Sequence, residues 1–480
     1  MGLFGTSGIR GSAKTLFSNK FCLDIGYSFV EFLKKHKSLG PVAIGMDPRP
    51  SSPRIKAAVI KGLATGVEIF DQGISPIPSM NWILKAGKVV ASLMITGSHI
   101  APQFNGIKFF ALKEEITKDH EQEIEEIYNS LKKTPPLGGD ELGSLKMLAK
   151  GEKFHRTTGL PVVIYNKIKG KTRPVKKPYV HIDTQAQELY REMLEGLADN
   201  QILQWRIVVD CANGAQSILM PDLLESFGMQ VFRVNCRVQD EFIARDTDTD
   251  DKVSIEQLKA TVLREKADFG IAYDGDGDRV VFVDELGQFI QGEYTCSLVA
   301  RSLQTPVIVT TISASQVVET IGKKVVRTKV GSPYVIEGMK ESGSLFGFEP
   351  NGGAIFGNIM YTRDGGAMTI KLLNLFAEFR GTFSKFVAQI PRFYMLRTKV
   401  NCPTKLNEKI LQKVRKHFMG ERLEEIDGIK IWIDKKTWVL FRPSANAPEF
   451  RVFAESVTPE VSESLLQKGM GLVENVIKES

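Results

Sequence analysis

Three carboxylates alternate with glycine in YDGDGDRVVFVDE, residues 273–285, where Asp274, Asp276 and Asp278 enclose Gly275 and Gly277 and Arg279 follows. The apolar segments on either side, ADFGIAY and VVFVD, predict two strands joined by a tight turn. Glycine at alternate positions frees the backbone to curl, so side chains that would repel can converge on one point. Converging like charges call for a cation, and hard oxygen ligands favour Mg²⁺ or Ca²⁺ over softer metals. Asp274, Asp276, Asp278 and Glu285 match the first, third, fifth and twelfth positions of an EF-hand loop. The sixth position is Arg279 where that loop needs glycine, and the flanks read as strands rather than helices, so the EF-hand is rejected. A solvated acidic turn is the plainer alternative.

A second chemical stretch is VVASLMITGSHIAPQFNGIKFF, residues 89–110. An apolar strand stops at Thr96, and Ser98 and His99 lie in a loop bounded by Gly97, Pro102 and Gly106, with Lys108 beyond. A serine on such a loop is presented as a nucleophile or phosphate carrier needs to be. A Ser98/His99 hydrolase dyad is disfavoured, because adjacent side chains rarely face each other and no GxSxG elbow is present. A polar loop without a special role is the other reading. FGTSGIRG, residues 4–11, combines glycines, hydroxyls and Arg10; it suits a phosphate, or simply a turn before the next helix. Near the end, FRPSANAPEFRV sets Arg442, Ser444, Asn446 and Arg451 on a proline-flanked loop, which reads as a phosphate clamp or as a surface turn. LFGFEPNGGAIF puts Glu349 and Asn351 among glycines, as a group for sugar hydroxyls or as an ordinary hairpin.

The elements that must position these loops are legible from periodicity. A helix is predicted around residues 21–35, and PVAIGMD, 41–47, reads as a buried strand ending in Asp47. A helix capped by Ser51 or Ser52 and a second strand follow, which makes a βαβ unit and implies a parallel sheet with working loops at its strand ends. From Asp119 an amphipathic helix runs through Ile124, Ile127 and Leu131. RIVVDCANGAQSILMPDLLESFGMQVFRVNC, 206–236, repeats the strand, glycine turn, helix, strand pattern, and residues 305–331 repeat it again. After Pro391 short strands such as IKIWI and WVLFR alternate with helices, the last beginning at Thr458 and Pro459 as N-cap and first turn.

With 480 residues, three or four domains are expected; 42% hydrophobic and 25% charged residues are those of a soluble globular chain. No apolar run approaches a membrane span and MGLFGTSGIRG has no signal-peptide core, so a cytoplasmic location is expected. Cys22, Cys211, Cys236, Cys296 and Cys402 are scattered singly without zinc spacing and read as reduced thiols. A net charge of +7 with basic residues near glycines suits an anionic small molecule better than nucleic acid. KIKGKTRPVKK, within 167–177, reads as a basic linker, with an anionic partner as the second reading.

FGTSGIRG, TGSHIAPQFNGIK, DGDGDR, the Glu349 loop and RPSANAPEFRV occur in an order and at a spacing that resembles the α-D-phosphohexomutases across nearly the whole chain. The resemblance implies an α/β protein of four domains around a central cleft, three of them related α/β units with mixed sheets and the last a C-terminal α+β domain. The expected divisions are 1–155 with the serine loop, 156–288 with the metal loop, 289–392 with the sugar loop and 393–480 with the phosphate loop. It also implies a phosphomutase that interconverts hexose 1-phosphate and hexose 6-phosphate, of glucose, mannose or glucosamine, through a phosphoserine and a hexose 1,6-bisphosphate. In that scheme Ser98 carries the phosphoryl group and shares Mg²⁺ with Asp274, Asp276 and Asp278. Lys108 would be the general acid/base, a role that calls for cations nearby, and His99, Arg10 and Arg279 would complete the catalytic group. Glu349 and Asn351 would face the sugar, Lys329 the sugar or its far phosphate, and Arg442, Ser444, Asn446 and Arg451 the non-reacting phosphate. A monomer or homodimer acting on a small phosphosugar is implied. The sugar loop departs from the family's usual Glu-x-Ser-Gly-His, reading Glu349, Pro350, Asn351, Gly352, Gly353. The rival of another class is a sugar-phosphate sensor or partner-binding protein that retains the fold without turnover.

Overall fold

Short β-branched runs alternating with amphipathic helices dictate parallel strands with covering helices, and each such unit here ends by turning back on itself. The computed structural model describes residues 2–5, 7–133, 180–199, 204–247, 252–444 and 448–479. Four sheets result. The first has seven strands, in which Val42–Met46 pairs in parallel with both Ile69–Ile74 and Ala91–Ile95, while Phe104–Ala111 runs antiparallel to Ala91–Ile95. In the second, Arg206–Asp210 pairs in parallel with Gln230–Val234 and Phe269–Tyr273, and Val280–Asp284 turns back antiparallel. In the third, Val307–Thr311 pairs in parallel with Lys324–Thr328 and Phe346–Glu349, and Gly353–Phe356 turns back antiparallel.

The three units are therefore one design used three times. In each, a parallel core hands the chain to an antiparallel strand, and that hand-over loop holds the candidate chemistry: residues 96–103, 274–279 and 350–352. The expected repeat and the mixed sheets are both present. The fourth sheet, Tyr394–Asn401, Arg422–Glu424, Ile429–Asp434, Thr437–Pro443 and Glu449–Ser456, is antiparallel throughout and is packed by the helices Asn407–His417 and Pro459–Lys478.

The helix expected around 21–35 spans Asn19–Lys35, capped by Ser18, whose side chain accepts from Phe21 N. Thr458 likewise caps the last helix by accepting from Val461 N. The cap expected from Ser51 or Ser52 is different: Ser51 stands at the N-cap of Ser52–Leu63 but makes no capping hydrogen bond. Ser52 Oγ instead donates to Asp47 Oδ1 at 2.7 Å, because the buried carboxylate needs donors more than the helix end does. The first sheet also takes in Val180–Ile182, parallel to Ile69–Ile74, a strand beyond the division expected at residue 155. Both the basic 167–177 run and Asn446 lie outside the described residues.

The second and third units share one apolar core, in which Phe269, Phe282, Phe376 and Phe383 pack ring against ring. Helix Gln185–Leu197 bridges the units: Ala186 packs with Ile77 and Met80 of the first, and Tyr190 OH donates to Asp364 Oδ1 of the third. All five cysteines are free, and no helix among the described residues is long and apolar enough to cross a membrane.

Candidate active site

The hairpin joining Phe269–Tyr273 to Val280–Asp284 carries Asp274, Asp276 and Asp278 on a turn that only glycine permits. Gly277 has φ +73°, and a Cβ on Gly275 would lie 2.3 Å from Phe242 Cζ and 2.7 Å from the carbonyl oxygen of Ser98. The acidic turn and the serine loop thus meet backbone to backbone. Three neighbours brace the turn from different units. Ile77 N donates to Asp276 O at 3.0 Å, Ala215 N to Gly275 O at 2.9 Å, and Val280 N to Gly352 O at 3.4 Å.

Ser98 sits at φ +53°, a left-handed conformation that costs a non-glycine residue about 1–2 kcal/mol. Buried hydrogen bonds hold it there. Ser98 N donates to Thr96 Oγ1 at 2.8 Å, and Arg49 Nη2 donates to Ser98 O at 2.8 Å. The result aims Ser98 Oγ at Asp274, to which it donates at 3.0 Å, with His99 Nδ1 3.3 Å away. Thr96 Oγ1 donates to Asp276 Oδ2 at 3.1 Å, a second tie between the two loops.

Lys108 follows on the antiparallel strand, opposite Met94, and its Nζ lies 3.3 Å from Asp276 Oδ2 and 3.5 Å from Asp278 Oδ2. Its ion-pair partners are carboxylates, and it shares Asp278 Oδ2 with the Arg363 guanidinium, a cation close by. Lys108 and Asp276 are both almost fully buried, so the pairing compensates charge that water cannot. Arg279 Nε approaches Asp274 Oδ2 at 3.8 Å and Asp278 Oδ1 at 3.7 Å.

Burial pushes the Asp274 carboxyl well above the ordinary range, and the neighbouring Asp276 and Asp278 push it further. Burial acts on Asp276 too, but Lys108, Arg363 and Arg279 outweigh it and hold that carboxyl down. Burial, then Arg279 and Arg10, keep the His99 imidazole neutral. Arg10 keeps solvent contact on the site's rim, and desolvation with Arg279 beside it lowers its guanidinium to about 10.

The acidic turn fits a hard divalent cation. Ligand atoms of Asp274, Asp276 and Asp278 all lie within 4.8 Å of one another, and Asp276 Oδ1 and Asp278 Oδ1 are buried without a hydrogen-bond partner. Oxygens held in that state are what a Mg²⁺ shell would use.

Glu349 joins this group through Arg363, which sequence reasoning missed. Arg363 Nη1 pairs with Glu349 Oε2 at 2.7 Å and Nη2 with Asp278 Oδ2 at 2.6 Å, so one buried guanidinium bridges the acidic turn and the sugar-loop candidate. Those carboxylates keep Arg363 more firmly charged than usual despite its burial. The signal available was an arginine directly before the Asp364 helix cap, with no hint of its distant partners. Arg49 and Asp47 were missed as well. Arg49 Nε donates to Asp47 Oδ2 at 2.8 Å, and Nη1 to Phe104 O at 2.6 Å, closing the serine loop from beneath.

The remaining candidates divide. Asn351 Oδ1 accepts from Gly353 N at 3.0 Å and shapes the sugar-loop turn. Lys329 is exposed, with Nζ 5.8 Å from the Tyr334 ring centroid. Arg442 Nε pairs with Asp427 Oδ2 at 2.7 Å, Ser444 N donates to Glu449 O at 2.8 Å, and Arg451 Nη2 lies 3.7 Å from Glu449 Oε2, all within the C-terminal domain.

Residues 1–135, 188–287 and 291–394 match, in turn, domains I, II and III of the phosphoglucomutase/phosphomannomutase family, each described as alpha/beta/alpha. The chain is 33% identical over 494 residues to a protein of Thermococcus kodakarensis named "Phosphoglucomutase/phosphomannomutase", with 99% of each covered. It is 33% identical over 493 residues to a "Probable phosphoglucosamine mutase" of Pyrococcus horikoshii, covering 99% of this chain and 98% of that one. Among solved structures, a phosphoglucomutase/phosphomannomutase family protein of Burkholderia thailandensis superposes with a TM-score of 0.76 at 20% identity, covering 99% of this chain and 97% of that one. An Aspergillus fumigatus N-acetylphosphoglucosamine mutase, solved with GlcNAc-6P and magnesium, shares the fold with a TM-score of 0.59 at 14% identity, covering 99% and 96%. Three family domains in register and relatives matched end to end establish that the chain belongs to the α-D-phosphohexomutases, a family of phosphomutase isomerases.

Proposed function

We propose that this phosphomutase interconverts hexose 1-phosphate and hexose 6-phosphate, with glucose, mannose or glucosamine as the sugar, through a phosphorylated Ser98. The observation that carries the reading is the hydrogen bond from Ser98 Oγ to Asp274 Oδ2 at 3.0 Å, which joins residues 176 positions apart. A serine held in a strained turn against three buried carboxylates has little purpose in a solvated loop. It is a phosphate carrier placed beside a cation site.

Asp274, Asp276 and Asp278 would hold Mg²⁺, which when bound neutralises charge on the transferring phosphoryl group. Ser98 Oγ loses its phosphoryl group to a sugar hydroxyl and later accepts the other phosphoryl of the resulting hexose 1,6-bisphosphate. Lys108, charged beside Asp276 and Asp278, gives its proton to the departing Ser98 Oγ and regains one from the attacking sugar hydroxyl, and the same exchange runs backwards in the second transfer. Arg279 and Arg10 steady the phosphoryl oxygens, with the neutral His99 ring packed beside Ser98. Glu349, fixed by Arg363, accepts from sugar hydroxyls, with Asn351 shaping the loop, and the exposed Lys329 meets the sugar or its far phosphate. Arg442, Ser444, Asn446 and Arg451 grip the distal phosphate, so two ligand orientations can present either hydroxyl to one serine. The named relatives support a hexose substrate, and the altered sugar loop makes the sugar a matter for assay.

Coupled assays with glucose 1-phosphate, mannose 1-phosphate and glucosamine 6-phosphate, primed with a hexose bisphosphate and Mg²⁺, test the reading. Turnover of at least one is expected, with Ser98→Ala inactive. No turnover of any, with Ser98 phosphorylated, would overturn it and leave a sugar-phosphate-binding protein.

A further inference from the structure

The sequence IDGIK, residues 426–430, places an aspartate before a glycine turn in the C-terminal domain. Gly428 has φ +85°, and a Cβ there would lie 2.1 Å from Phe441 O and 2.9 Å from Arg442 Cα. Only glycine lets the turn press so closely on the strand that carries the phosphate-clamp arginine. Strand Ile429–Asp434 then pairs with Thr437–Pro443, with Ile429 opposite Phe441, which fixes Asp427 beside Arg442.

One oxygen of that aspartate serves two domains. Asp427 Oδ2 accepts from Arg442 Nε at 2.7 Å and from Val330 N at 3.1 Å. Val330 follows Lys329 and precedes Gly331, whose φ of +135° turns the chain into helix Ser332–Ser342. The carboxylate therefore anchors the backbone beside one substrate-facing candidate and the guanidinium of another. An apolar cluster spans the same boundary: Ile312 and Val330 of the third unit pack with Ile426, Trp432, Trp438 and Leu440 of the fourth. It keeps Ile426, and hence Asp427, against Val330.

We propose that Asp427 is a positioning residue that sets the plane of Arg442 for the distal phosphate and registers that arginine against the Lys329 loop across the domain boundary. This rests on the reading of Arg442 as a phosphate ligand. A carboxylate on Nε fixes the planar fork while its two Nη groups stay directed together, the arrangement that bidentate phosphate recognition needs. Because the distal phosphate is held alike in the ground state and the transition state, loss of this alignment raises KM and leaves kcat nearly unchanged. Both ligand orientations use one clamp, so both reaction directions suffer equally.

The full-length Asp427→Asn variant is nearly isosteric and retains an acceptor for Val330 N while losing the charge. Its KM for the hexose phosphate is expected to rise about tenfold in both directions, from the loss of the carboxylate charge that holds the Arg442 guanidinium, with kcat within about twofold of the unsubstituted protein. Calorimetry with inorganic phosphate as the probe is expected to show weaker binding by the same factor. An unchanged KM and unchanged phosphate affinity would overturn the proposal, as would a fall in kcat with KM preserved. If the unsubstituted protein turned over no hexose phosphate, the parent reading would fail, yet the phosphate titration would still decide the role of Asp427.

Discussion

Replacing Arg49 by lysine should cripple turnover without touching any group that meets substrate. Arg49 is fully buried beneath the serine loop and makes three short hydrogen bonds: Nε to Asp47 Oδ2 at 2.8 Å, Nη1 to Phe104 O at 2.6 Å, and Nη2 to Ser98 O at 2.8 Å. The fit is close, since a Cβ on Gly97 would lie 2.2 Å from Nη1. A lysine keeps the charge and one of these contacts but cannot reproduce a planar fork. Two charge-assisted hydrogen bonds are then lost, each worth about 1.5–3 kcal/mol, and the carbonyls of Ser98 and Phe104 are left buried without that donor. The expected loss is at least about 3 kcal/mol of local order in the loop, spent at the residue already held at a left-handed φ. A displacement of the nucleophile by about 1 Å lowers the rate by about 10²-fold. The coupled mutase assay should therefore show kcat reduced about a hundredfold, with KM within about threefold because Arg49 is fully buried beneath the serine loop. An Arg49→Lys protein with kcat within about threefold of the parent would refute the claim that this fork positions Ser98.

Other outcomes follow from the same contacts. Arg363→Met removes the cation that pairs with Asp278 and Glu349, and breaking such buried pairs costs about 3–5 kcal/mol; its melting temperature should fall, and Mg²⁺ should raise it more than in the parent. Equal responses to Mg²⁺ would separate Arg363 from the cation site. Burial raises the carboxyl of Glu121, which accepts from Gly8 N and Lys118 Nζ, from 4.5 to about 7. The folded chain then binds the extra proton, so Glu121 costs the fold stability as pH rises from about 4.5 to about 7, by up to about 3 kcal/mol. Thermal melts of Glu121→Gln should show a weaker decline across that window than the parent; parallel declines would contradict it.

The hairpin at 274–279 and the serine loop were legible because their signals are local: alternating glycine, a strand on each side, and polar residues confined to the connection. The threefold repeat of strand, helix and strand was legible for the same reason. What local sequence could not carry was the pairing between units. Arg363 meets Asp278 from 85 positions away, Arg49 meets Ser98 across 49, and Asp427 meets Val330 across 97. Each reads in sequence as an unremarkable charged residue near a turn. Lys108 shows the same limit from the other side: its position in NGIK was legible, but its carboxylate neighbours arrive from the second unit. The spacing suits Ser51 or Ser52 as a helix cap, but Ser51 makes no capping bond and the buried Asp47 claims the Ser52 hydroxyl instead. The division expected at residue 155 falls before Val180–Ile182, a strand that returns to the first sheet through its register with Ile69–Ile74.

Peptide mapping by mass spectrometry after incubation with isotopically labelled hexose 1,6-bisphosphate and Mg²⁺ tests the central claim most directly. The account predicts labelled phosphate on Ser98, lost to unlabelled hexose phosphate during turnover. Turnover with no label on Ser98, or an active Ser98→Ala protein, would contradict it.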